Sequence, residues 1–200
     1  GMSLSIIGET NVDGTPAVIL DGQLSGANGI YVSNPTGQTV IENIHIVGCP
    51  LGVGNCSVLL TNCIIENSSG YYGGGVLSSC VATLNACSVI GNNGTFGGGI
   101  TVIDQMGNDA SSEVSLIDCV IEDNYGAYPG YAVGGITLYN GHTTITSCTV
   151  KNNIGGAIGG VGILDDATAT IAGTTVCGNV GYKGNTTQIS GDYTDNGGNT

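Results

Sequence analysis

The sequence predicts an all-β solenoid, a parallel β-helix wound from short strands. Two recurring phrases and the lack of helical periodicity predict it. The first phrase runs apolar, spacer, small polar, Cys, spacer, Ile/Val and closes on Asn. It occurs at Leu60 to Asn67, Leu84 to Asn92, Leu116 to Asn124, Ile145 to Asn153 and Ile171 to Asn179. Its centre is Ile44 in an early copy, then Cys63, Cys87, Cys119, Cys148 and Thr174, at steps of 19, 24, 32, 29 and 26 residues. The second phrase is a glycine pair before an apolar residue: Gly74-Gly75-Val76, Gly98-Gly99-Ile100, Gly134-Gly135-Ile136 and Gly159-Gly160-Val161. Gly29-Ile30 and Gly52-Val53 are weaker versions. Such self-similarity is the signature of stacked repeats, each too small to bury its apolar face alone.

The fourth repeat shows how each element is read. Ile100-Thr101-Val102 alternates in-out-in, as a half-buried strand does. Val114-Ser115-Leu116 alternates again, Ile117-Asp118 makes a bend, and Cys119-Val120-Ile121 is the third strand. Asn124 closes the repeat, and Asn92, Asn124, Asn153 and Asn179 are expected to stack as corner residues in the left-handed conformation. The glycine pairs are expected to allow a second unusual corner. Strands this short lack hairpin turn signals, so each pairs in parallel with its counterparts one coil above and below. The expected rod has about seven coils, three short parallel sheets and a strand spacing of ~4.8 Å, over a single domain spanning residues 1–200. Leu4 to Ile7 with Ala17 to Leu20 form a partial first coil, and Gln188 to Tyr193 a partial last one. Open coil ends are sheet edges, which offer end-to-end self-association unless polar segments or further coils cover them.

Composition excludes several functions. Lys151 and Lys183 are the only basic residues, against 15 acidic ones, for a net charge of −13. Such a chain has nothing to neutralise nucleic-acid phosphates or anionic lipid headgroups. No apolar run is long enough for a membrane helix. Gly1 ahead of Met2 reads as a scar, so the chain is expected to be a piece of a longer exported protein, extracellular or on the cell surface. Four of the eight cysteines share one inward slot and are read as free thiols behaving as small apolar groups. Cys56 and Cys80 are the best pair should any bridge exist.

The Gly-Gly-Ile/Val and Ile/Val-x-x-Asn phrases resemble the right-handed parallel β-helix superfamily, the pectate-lyase-like fold. They are similar to repeats of bacterial surface proteins such as chlamydial polymorphic membrane proteins and autotransporter passengers. The resemblance covers nearly all of the chain and implies the fold; enzymes, tailspikes and adhesins share that architecture. Polygalacturonase-like enzymes carry Asn-Thr-Asp, Asp-Asp, Gly-His-Gly and Arg-Ile-Lys phrases. This chain has Asp165-Asp166 and Gly141-His142-Thr143 in the reverse order, lacks the other two, and has no Arg to serve as a lyase base.

Two site readings follow from the residues. Asp104 and Asp165 end equivalent strands two coils apart, roughly 10 Å at ~4.8 Å per coil, with Asn140 between them and His142 and Asp166 nearby. Paired carboxylates are the parts a polysaccharide-degrading enzyme uses as general acid and base, at roughly 6.5–9.5 Å in inverting enzymes. The plainer alternative is that Asp and Asn end strands because their side chains bond local backbone. The second reading is a binding flank. Tyr71, Tyr72, Phe96, Tyr125, Tyr128 and Tyr131 lie in loops of consecutive repeats and would line one side of the rod. Tyr offers a flat apolar body with a polar tip, suited to stacking on the sugar rings of a polysaccharide or surface glycan. The chain is accordingly read as a non-catalytic, adhesin-like or stalk segment with an enzyme as the alternative. No cofactor is expected and no metal ligand set is spaced for zinc. Asp13-Gly14, Asp21-Gly22 and Asp195-Asn196-Gly197 resemble fragments of Ca²⁺ loops, but ordinary turns are the favoured reading, because Asp-Gly and Asn-Gly are strong turn dipeptides. His45 is read as a solvated residue of an outward column, and Glu122 with Lys151 as a surface pair.

Overall fold

The structure, a computed structural model, describes residues 3–22, 29–33, 37–104 and 112–200. The chain coils through parallel sheets that run the length of the rod. The first sheet has seven strands, from Ile30–Ser33 through Leu51–Gly54, Gly75–Ser78, Ile100–Ile103, Ile136–Leu138 and Val161–Ile163 to Ile189–Ser190. The second has eight, from Leu4–Ile7 to Tyr193–Asp195, and the third has seven, from Val18–Asp21 to Thr175–Cys177. Eight stacked strands span about 34 Å at ~4.8 Å each, the length expected of about seven coils.

A fourth sheet joins the three expected ones. It contains Ser69–Tyr72, Asn93–Gly97, Tyr125–Gly126 and Ile154–Gly155, all parallel. Tyr71, Tyr72, Phe96 and Tyr125 therefore lie on strands, not in loops. Their segments lack apolar alternation because glycine takes the inward position, as at Gly94 and Gly126.

The corners differ from expectation in an instructive way. The left-handed residues between the second and third sheets are Asn43, Asn62, Ala86, Asp118, Ser147 and Gly173, with φ between 50° and 56°. Each precedes the inward Ile, Cys or Thr of its repeat. The next corner uses Gly48, Asn67, Gly91, Asp123, Asn152 and Gly178. Asn92, Asn124, Asn153 and Asn179 follow that corner and are not left-handed; they turn inward and are buried. There they form a ladder. Each side-chain N–H donates to the side-chain oxygen of the next rung, at 2.9 Å from Asn92 to Asn124, from Asn124 to Asn153 and from Asn153 to Asn179. Gln188 takes the last donor at 2.8 Å. Ser68, not Asn67, occupies the ladder slot of the repeat before Asn92, and its backbone N–H donates to Asn92 Oδ1.

The glycine pairs also serve a purpose other than the expected one. None of Gly73, Gly74, Gly98, Gly99, Gly134, Gly135, Gly159 and Gly160 has positive φ. A Cβ on Gly99 would lie 2.4 Å from the carbonyl oxygen of Gly135, and one on Gly135 would lie 2.6 Å from that of Gly160. Close approach of one coil to the next demands these glycines. The register pairs Gly75 with Ile100 and Val76 with Thr101. In that copy the close-approach pair is thus Gly73-Gly74, and Val76 points outward.

All eight cysteines are free thiols, Cys56 and Cys80 included. Cys63, Cys87, Cys119 and Cys148 are buried in one column, and the Cys119 and Cys148 thiols donate to carbonyls of the preceding coil, both at 3.4 Å. Burial, with Cys56 and Asp104 adding to it, pushes the Cys80 thiol up to about 12. Only Cys177 is exposed. A thiol-specific chromogenic reagent at neutral pH is therefore expected to titrate one thiol fast in the folded protein and eight after denaturation. Cys177→Ser should remove the fast phase, and a fast phase of three or more thiols would contradict the buried column.

Candidate functional site

A cleft of about 550 Å³ opens on the outer face of the first sheet. Its floor follows from three small or short outward residues, Gly52, Gly54 and Val76, on adjacent strands. Around them stand Tyr31, Tyr72 and Tyr139, and the strand ends supply Asp104, Asn140 and Asp165. Nothing lies within 3.8 Å of a Cβ built on Gly54, where the nearest atom is the Tyr31 hydroxyl. The cleft exists because this stretch of the sheet lacks side chains that its neighbours carry.

Asp104, Asn140 and Asp165 thus meet as expected, each four residues beyond the register set Ile100, Ile136 and Val161. Their local chemistry favours structure over catalysis. Asp104 Oδ1 accepts from the backbone N–H of Ser112 at 2.9 Å and from its hydroxyl at 2.5 Å, tying the strand end to the start of the next strand. Asp165 sits at φ 49°, a left-handed turn position. Asp166 is exposed beside it and does not line the cleft. His142 does not either: it begins a strand of the second sheet, where Nδ1 lies 2.9 Å from the Thr168 hydroxyl.

Of the six aromatic residues singled out, only Tyr72 enters the cleft. Four others make a continuous run beside it. Tyr71 and Phe96 have centroids 4.6 Å apart, Phe96 and Tyr128 stack at 5.1 Å, and Tyr128 and Tyr131 follow at 5.4 Å. Tyr72 meets Tyr71 edge-on at 5.0 Å, linking run and cleft. Tyr125 is exposed on the fourth sheet and has no ring contact among the described residues. Sequence reasoning missed Tyr31 and Tyr139. Outward-facing Tyr31, in the register column with Gly52, Val76 and Thr101, was the available signal. Burial, then Tyr72 and Asp165, pushes the Tyr139 phenol up, so it remains a hydroxyl donor. Burial acts the same way on Tyr72.

The remaining charged groups play structural parts. Asp13 Oδ1 accepts from the Thr15 hydroxyl and N–H, which hold its carboxyl below the usual range, and Asp195 Oδ1 accepts from Gly197 and Asn199. Both are turns. Lys151 pairs with Glu122 at 2.8 Å as expected, whereas His45 is half-buried and lies 3.1 Å from Glu66 instead of being fully solvated. Among the described residues no three His, Cys, Asp or Glu side chains gather as a metal site, and no helix is long and apolar enough to cross a membrane.

The coil geometry and the sequence agree on a class. The model of the right-handed beta helix region matches residues 10–176, and the chain belongs to that family. Neither a curated protein nor a solved structure matches it closely enough to count as similar.

Proposed function

We propose that this β-helix is a non-catalytic, glycan-binding segment of an extracellular or cell-surface protein, adhesin-like in role. The observation that carries the reading is the cleft walled by Tyr31, Tyr72 and Tyr139 and continued by a run of exposed Tyr71, half-buried Phe96 and exposed Tyr128 and Tyr131. Rigid aromatic faces with hydroxyl tips bind sugar rings at little cost in side-chain entropy, and a contiguous exposed patch of them calls for a partner. Strands hold most of these rings, which favours a fixed platform over an adaptable loop.

A polysaccharide hydrolase is the second reading, favoured by the presence of Asp104 and Asp165 in one cleft. Against it, two coil steps set the strand ends roughly 10 Å apart, beyond the roughly 6.5–9.5 Å of an inverting pair. The Asp104 carboxylate is also engaged by Ser112.

One experiment separates them. Oligosaccharide binding and reducing-end release are measured together on a panel of polysaccharides. The expected result is binding without release, with Tyr72→Ala weakening affinity by about tenfold or more. Gly54→Leu should fill the cleft and block binding without unfolding the coil, since its Cβ meets nothing nearer than 3.8 Å. Release that Asp165→Asn abolishes would make the protein an enzyme. A stalk without a ligand would show neither binding nor release.

A further inference from the structure

We infer that the cleft selects an amino sugar with a free, protonated amine over neutral and acidic sugars; this rests on the glycan-binding reading above. Its walls combine two chemistries. Aromatic faces attract cations through their quadrupole, and carboxylates attract them directly. Tyr72, Tyr139 and Asp165 line the same cleft, and both Tyr72 and Asp165 act on the Tyr139 phenol. Asp165 has no hydrogen-bond or ion-pair partner of its own among the described residues. Asp104, across Asn140, adds a second carboxylate.

The opposite charge is scarce in the whole chain and absent from the cleft lining. The sequence has no Arg and two Lys. Lys151 is spent on Glu122 at the third sheet, and Lys183 lies over the Tyr182 ring in a turn after that sheet's last strand. Neither lines the cleft. A uronate polymer entering it would meet two carboxylates inside a field set by a net charge of −13, with no cation to receive its own carboxylates. An ammonium group meets the reverse: carboxylate acceptors, phenol oxygens and ring faces. A neutral sugar gains the stacking alone.

The test uses hexamers of glucosamine, N-acetylglucosamine and galacturonate, titrated calorimetrically into the protein at low salt and about pH 5.5, where such an amine is protonated. The glucosamine hexamer is expected to bind about tenfold more tightly than its acetylated counterpart, since two part-exposed carboxylates each add up to a few-fold. Galacturonate should not bind. Asp165→Asn, at an exposed turn position, should reduce the amine preference to about threefold or less. Equal affinity for the glucosamine and N-acetylglucosamine hexamers, or a preference that survives Asp165→Asn, overturns the inference and leaves glycan binding intact. Binding of none of the three overturns both.

Discussion

Asn124→Ala is expected to destabilise the rod by about 3–5 kcal/mol, a loss large enough to lower Tm by roughly 6–20 °C in a domain of this size. The size comes from how many buried partners one side chain serves. Asn124 Nδ2 donates to Val89 O and to Asn153 Oδ1, both at 2.9 Å. Asn124 Oδ1 accepts from the Asn92 backbone N–H at 3.0 Å and from Asn92 Nδ2 at 2.9 Å. Alanine deletes all four and leaves the Asn92 N–H without an acceptor in a place water does not reach, since Asn92 is 1 % exposed. An unsatisfied buried donor costs the full desolvation penalty, unlike a hydrogen bond lost at the surface. Asn124→Asp keeps the shape and the acceptor but removes both donors, so it should fail to rescue. Thermal unfolding of the two variants beside Lys151→Ala, which touches only the outer Glu122 pair on a neighbouring coil, is the measurement. A Tm shift below about 2 °C for Asn124→Ala would mean the ladder is ornamental.

The ladder also shows how far the sequence could be read. The recurrence of Asn at one slot was visible, and so was the coil it implies. Its physical cause was not, because Asn is at home both in left-handed corners and in side-chain ladders, and the two uses sit one residue apart. The corner fell to Gly91, Asp123, Asn152 and Gly178, a set so mixed in type that no motif betrays it. The same one-residue ambiguity affected the glycine phrase: Gly73-Gly74-Gly75 offers two pairs, and the register alone decides that Val76 faces out. That slip hid the cleft floor. A side-chain period of two means a shift of one residue exchanges the inside and outside faces. Asp104, Asn140 and Asp165 were found in advance because equivalent strand ends stack whatever the face. Tyr31 and Tyr139 were missed because their role depends on what adjacent strands lack, and Gly52 and Gly54 carry no signal of an empty neighbourhood. The fourth sheet was hidden for a related reason: Gly94, Gly126 and Gly155 take inward positions in three of its four strands, so there is no apolar alternation to read.

Gly98→Ala should be a strongly damaging single-methyl change, costing about 3 kcal/mol or more and lowering soluble yield. The added Cβ would sit 2.5 Å from the Gly134 carbonyl oxygen, 2.7 Å from Tyr125 C and 2.8 Å from Tyr125 N. All three are backbone atoms. A flexible side chain can swing away from such a contact, but a strand held between two parallel neighbours cannot move without breaking its ladder. The coil would have to open locally, at the Tyr125 backbone of the fourth sheet. Conformational freedom does not account for the requirement, since Gly98 lacks a positive φ. Gly54→Ala, in the first sheet, is the matched comparison: its Cβ meets nothing nearer than 3.8 Å, so the only consequence is a stiffer unfolded chain, a gain of up to about 1 kcal/mol. Denaturant unfolding of the pair reads the contrast directly. If both alanines fall within about 1 kcal/mol of the parent, the coils are spaced more loosely than these contacts require, and the repeated glycines must answer to something other than coil-to-coil approach.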